Sequence, residues 1–204
     1  MNDSIGPETA VLFFDTINVH VKEDEYTIKA SHQNLVPKLV KLMDSARAHN
    51  LAIFFAYANH RSDNKSTVVT LRDTDNRLNN LPKSGEPKRS IVYQGGWGNQ
   101  IISELESTEF DFMIPKYRWS AFHQTCLDLM LRANRIERLI LVGGSTDVGI
   151  ASTAFAARDK DYHLLIASDG CISPEADNHQ QFMTRIFPRM AQVREIDEII
   201  ARLE

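Results

Sequence analysis

The chain is expected to fold as an α/β protein, a three-layer Rossmann-like sandwich whose mostly parallel six-stranded sheet carries helices on both faces. Two observations predict this. Five short runs are apolar almost throughout, with a weaker sixth near the end, and such runs mark strands covered on both faces. Helical stripes lie between them, and strand alternating with helix folds most economically as a parallel sheet between helices.

The first strand is expected at Ala10-Val11-Leu12-Phe13-Phe14, ending at Asp15. Leu35, Leu39, Leu42 and Ala46 then recur at spacings of four, three and four, one stripe of a helix. Pro37 fits that helix only in its first turn, where a missing N–H costs little. The second strand is Leu51 to Tyr57, the third Phe110 to Ile114, ending at Pro115-Lys116. The fourth, Leu139 to Val142, ends at Gly143-Gly144, and the fifth, His163 to Ala167, at Asp169-Gly170. Gln192 to Ile196 is the weak sixth. Further helices are expected over Trp97 to Glu106, Cys126 to Asn134, Asp147 to Lys160 and Glu175 to Arg189.

The 204 residues are 43% hydrophobic and 25% charged, an ordinary globular composition that excludes collagen-like, disordered and disulfide-scaffold classes. At this length one domain over residues 1–204 is expected, since a single core keeps growing to roughly 250 residues. A net charge of −4 without a clustered basic face argues against nucleic acid as a partner. No stretch approaches the ~20 apolar residues of a membrane span, and MNDSIGPET lacks the blocks of a signal peptide. A cytoplasmic protein is expected. Cys126 and Cys171 read as small core residues, and the seven histidines show no ligand spacing, so neither metal nor cofactor is expected. The least regular stretch, 60–96, is expected to be a lid or a subunit contact.

In an open parallel sheet, ligands bind beyond the carboxyl ends of the strands. Asp15, Asn59, His60, Arg61, Lys116, the stretch Ser145 to Gly149, and Asp169 occupy those places. Asp15 is either a partly desolvated acid suited to proton transfer or an end-of-strand cap; Lys116 is either its cation or a surface lysine. Free N–H groups where the chain turns from Gly144 and Ser145 into the next helix suit an anion or a developing oxyanion. Gly149 reads on spacing alone as a close-packing glycine. Gly143-Gly144 is not followed by the spacing of a dinucleotide fingerprint. Tyr57, Trp97, Trp119 and Phe122 are candidates either for an apolar wall or for plain core, Asn59 for holding a carboxylate, and Arg61 either for the same task or, more simply, for a solvated loop cation.

Four segments carry a likeness to a known family: Val11-Leu12-Phe13-Phe14-Asp15, Gly95 to Ile101, Pro115 to Phe122 and Leu141 to Gly149. From about Ala10 to Ile196 the chain resembles the isochorismatase-like (cysteine hydrolase) superfamily. That resemblance implies an acid at Asp15, a lysine partner at Lys116, and an oxyanion hole from the amides of Ser145 and Gly149, with a cis peptide between Gly144 and Ser145. It also implies a small, anionic substrate and a homodimer or larger assembly, for which Ile199, Ile200 and Leu203 offer an apolar final helix. The family's nucleophilic cysteine maps onto Gly149. Glycine offers no thiolate, so the covalent amidase route is closed to this chain as written. True isochorismatases also carry glycine there and cleave a vinyl ether by protonating the enol carbon. Yet Ser145-Thr146-Asp147-Val148 resembles the cysteine-bearing branch, and Ile17 stands where true isochorismatases have glutamine. No Asp-x-His metal motif of the nicotinamidase branch follows the second strand. The expectation is therefore an acid/base hydrolase, the alternative a relative whose thiol has been replaced, inactive or kept as a binding module.

Overall fold

A computed structural model describes residues 4–63, 65–66 and 92–203. Most of the expected lid or subunit-contact stretch, 60–96, lies outside the described residues.

Six strands form one sheet: β1 (Thr9–Phe14), β2 (Ala52–Ala58), β3 (Phe112–Lys116), β4 (Arg138–Gly144), β5 (His163–Ile172) and β6 (Gln192–Arg194). Their spatial order is β3-β2-β1-β4-β5-β6 and every pairing is parallel. The order reverses between β1 and β4, which opens a crevice beyond the carboxyl ends of those two strands.

Strand β1 shows why the sheet is covered twice. Its side chains alternate with period two, so Ala10, Leu12 and Phe14 enter one core while Val11 and Phe13 enter the other. The first core is closed by α3 (Leu127–Ala133) and α4 (Ala151–Arg158), through Leu127, Leu131, Ala151, Ala154 and Ala157. The second is closed by α2 (Leu35–Ala48) and α6 (Ile196–Ile200), through Leu35, Leu39, Leu42, Met43, Ala46, Ile196 and Ile199. Short helices α1 (Asn18–Val21) and α5 (Ala176–Gln181) flank the crevice end. Pro37 lies in the first turn of α2, as its missing N–H requires.

Several expected elements differ. Strand β3 starts at Phe112 and not at Phe110, β6 stops at Arg194, and the helix expected from Asp147 turns α-helical only at Ala151. The segment 97–106 is not one helix but two tight turns, Trp97–Asn99 and Ser103–Leu105. Its middle runs extended because its backbone bonds outward: the Ile102 N–H donates to the Thr16 carbonyl, and the Asn18 N–H to the Gln100 carbonyl. The helix expected from Glu175 to Arg189 stops at Gln181, followed by the wide turn Phe182–Ile186 and the tight turn Phe187–Arg189. Strand β5 does not end at Asp169. A register shift against β4 carries it on to Ile172, and the Asp169 carboxylate is spent on Lys38 (2.8 Å) and the Ile196 N–H (2.8 Å) at the start of α6. Among the described residues no helix is long and apolar enough to cross a membrane.

Candidate active site

The chain leaves β1 at Asp15 in a left-handed conformation, φ 50°. Asp15 N–H donates to the Ala56 carbonyl (2.8 Å), so the residue stays tied to β2 while its carboxylate turns into the crevice. Oδ1 accepts the Ala58 N–H at 2.8 Å, and Oδ2 accepts Lys116 Nζ at 2.7 Å. Lys116 ends β3, in register with Ala58, so its side chain passes the end of β2 to reach Asp15. The side chains are 5% (Lys116) and 14% (Asp15) exposed. A charge pair this buried is tolerable only when hydrogen-bonded as well as paired, and both carboxylate oxygens are. The Lys116 ammonium also sits 4.3 Å from the centre of the Phe14 ring, a favourable cation–π distance.

Opposite this pair the chain leaves β4. Gly143 has φ 112°, and a β-carbon there would lie 2.1 Å from the Phe14 carbonyl oxygen, so β4 passes β1 too closely for any other residue. The peptide from Gly144 to Ser145 is cis, as the resemblance implies. Thr146–Ile150 then forms one wide turn, closed at its start by the Ile150 N–H to the Ser145 carbonyl (3.0 Å), before α4 begins. Asp147 anchors this turn. Its carboxylate accepts the Ser145 hydroxyl, the Ser173 hydroxyl (2.8 Å) and Asn178 Nδ2 (2.7 Å). Burial pushes its titration upward, but the bonds from Ser145, Asn178 and Ser173 outweigh that and hold it below the usual carboxylate value. Thr146, fully buried, shares a 2.9 Å hydrogen bond with His179 Nδ1. Gly149, inside the turn, faces the Phe14 ring.

The remaining candidates fall into two groups. Asn59 is buried beside the pair, its N–H donating to the Lys116 carbonyl at 3.0 Å. Tyr57 is half-buried, its hydroxyl pushed up by burial and by nearby Tyr117. Phe122 belongs to the core, packed on Tyr162 at 5.8 Å. Trp97 and Trp119 are 40% and 53% exposed. Arg61 is exposed, its guanidinium held by Asp63 through two bonds of 2.9 and 2.7 Å.

Three contributors carry little signal in the sequence. Phe14 reads there as one more apolar strand residue. Asn99 donates through Nδ2 to the Ala58 carbonyl (2.5 Å), bracing the residue whose N–H holds Asp15. His60 has a buried Nδ1 without a hydrogen-bond partner among the described residues, and its ring stands edge-on to Tyr117 at 6.2 Å. Burial, then Lys116 and Arg118, hold His60 below its ordinary value and keep the ring neutral near pH 7. Its one sequence signal is its place after the second strand. Among the described residues no three His, Cys, Asp or Glu side chains come together as a metal site would need. Cys171 is buried, with its thiol pushed well up, and is no nucleophile.

Known proteins resemble this chain in sequence and in fold. The uncharacterized isochorismatase family protein YecD of Escherichia coli O157:H7 is 39% identical over 117 residues, 57% of this chain and 62% of that protein. The ureidoacrylate amidohydrolase RutB of Acinetobacter baylyi is 35% identical over 96 residues, 47% of this chain and 39% of that one. The chain thus matches less than two thirds of either relative. An isochorismatase family protein from Burkholderia thailandensis superimposes with a TM-score of 0.80 at 24% identity, covering 98% of this chain and 97% of the other, which bears on the fold. The isochorismatase domain family model matches residues 9–198, from the first residue of β1 into α6: the chain belongs to the isochorismatase family.

Proposed function

We propose that this chain is a hydrolase of a small, anionic metabolite, working by acid/base chemistry at Asp15 without a covalent intermediate. The observation that carries the reading is the buried Lys116–Asp15 pair at the reversal of strand order, where position 149 offers no side chain. In this reading the substrate is an enol ether. The pair's proton passes from Lys116 across the 2.7 Å hydrogen bond to Asp15, which delivers it to the enol carbon and leaves a neutral amine beside the carboxylate. Water adds to the oxocarbenium carbon and returns its proton to the pair, after which the hemiketal collapses to a carbonyl compound and an alcohol. The amides of Ser145 and Gly149 hold the substrate's carboxylate or developing oxyanion. Asn59, Tyr57, Trp97 and Trp119 complete the walls.

Assay of the purified chain on an enolpyruvyl ether, beside its Asp15→Asn variant, tests this. We expect turnover that falls by ~10²–10⁴ in the variant, the usual contribution of a positioned acid. Turnover that survives Asp15→Asn overturns the mechanism. A second reading is favoured by the likeness to a ureidoacrylate amidohydrolase: the site descends from amidases and has lost its thiol. It predicts no enol-ether turnover, with ureido amides bound and not cleaved.

A further inference from the structure

A β-carbon added at Gly149 would lie 2.2 Å from Cε1 of Phe14 and 2.6 Å from its Cζ, far inside van der Waals contact. Phe14 cannot swing aside into solvent. It is 1% exposed and lies in the core that α3 and α4 cover. The same ring also meets Lys116, whose ammonium lies 4.3 Å from the ring centre and 2.7 Å from Asp15. One aromatic ring therefore stands between position 149 and the charge pair. Two glycines make room for this one residue, Gly143 for its carbonyl oxygen and Gly149 for its ring.

We propose that Phe14 determines the reaction class of the site: its ring fills the volume that a nucleophilic side chain at 149 would need, and its face seats the Lys116 ammonium. Gly149 is then half of a coupled pair, and a thiol at 149 becomes usable only after the ring is removed. The proposal deepens the acid/base reading and rests on it for its chemical meaning. Its structural content stands apart, because the coupling is present whatever the substrate.

The test is a double-mutant cycle of Phe14→Val and Gly149→Cys, read by thermal melting and by iodoacetamide labelling of the thiol introduced at position 149, mapped on peptides. Each single variant should melt at least about 5 °C below wild type, the ring removal leaving a cavity and the added side chain overpacking the core. The double variant should melt higher than Gly149→Cys, although Phe14→Val alone is destabilising. The introduced thiol should label at least ~10-fold faster in the double variant, where the thiolate is free to meet the Lys116 ammonium. Should Gly149→Cys by itself destroy folding, recovery of a folded protein by Phe14→Val is the supporting result. Strictly additive losses, a Gly149→Cys protein as stable as wild type, equal labelling with and without the ring, or a double variant that also fails to fold each overturn the coupling. None of these readouts uses a substrate, so the coupling can fail while enol-ether turnover is found, and the reverse.

Discussion

At the scale of single residues, the site depends on backbone places that only certain residues can take. Asp15 holds φ 50°, a left-handed place that aspartate tolerates better than branched or bulky residues do. Gly143 has no such alternative, since a β-carbon would meet main chain, and main chain of a paired strand cannot give way without breaking the β1–β4 ladder. Gly143→Ala is expected to cost at least ~2 kcal/mol, from overpacking and left-handed strain together, in urea unfolding. An alanine variant as stable as wild type would show that β4 can back away from β1. Asp15 and Lys116 are legible in the sequence because both end apolar runs. Phe14 is not, because its importance lies in two contacts across the sheet, to Lys116 and to position 149, that spacing along a strand does not encode.

At the scale of elements, the amide turn after β4 is held from outside by side chains of the segment that follows β5. Ser173 and Asn178 reach Asp147, and His179 reaches Thr146. Because the folded Asp147 carboxyl titrates below its ordinary value, near 3.8, its contribution to stability is fully present above that value and is lost as pH falls through the lower folded one. Asp147→Asn should therefore be less stable than wild type at pH 7, and the gap should narrow below about pH 4. Denaturant melts at pH 7 and pH 3 check this; a gap that does not change with pH would mean that shape, not charge, holds the turn. The helix expected over 97–106 fails for a related reason. Its apolar and polar pattern permits a helix, but Asn99, Gln100 and Ile102 are committed to Ala58, Asn18 and Thr16 on the other side of the crevice. Bonds to residues tens of positions earlier in the chain are invisible to local periodicity.

At the scale of the whole molecule, nearly all of the sheet is legible in the sequence, because parallel strands buried on both faces are apolar runs that few other structures require. The end of β5 is not, since its register shift next to Gly143 depends on how β4 turns into the site. Strand order is not readable from the runs themselves either, yet it is what brings Asp15, Lys116 and the turn at Ser145 to one crevice: β1 is flanked by β2 and β4, and β3 lies one strand further out. The functional account comes down to a proton placed on carbon by Asp15. Hydrolysis of an enolpyruvyl ether in D₂O, followed by mass spectrometry of the pyruvate at early times, reads that step directly. The account predicts one deuterium in the methyl group of the product from wild type, and product formed ~10²–10⁴-fold more slowly by Asp15→Asn. Pyruvate released without deuterium, or released equally by the Asp15→Asn protein, would contradict it.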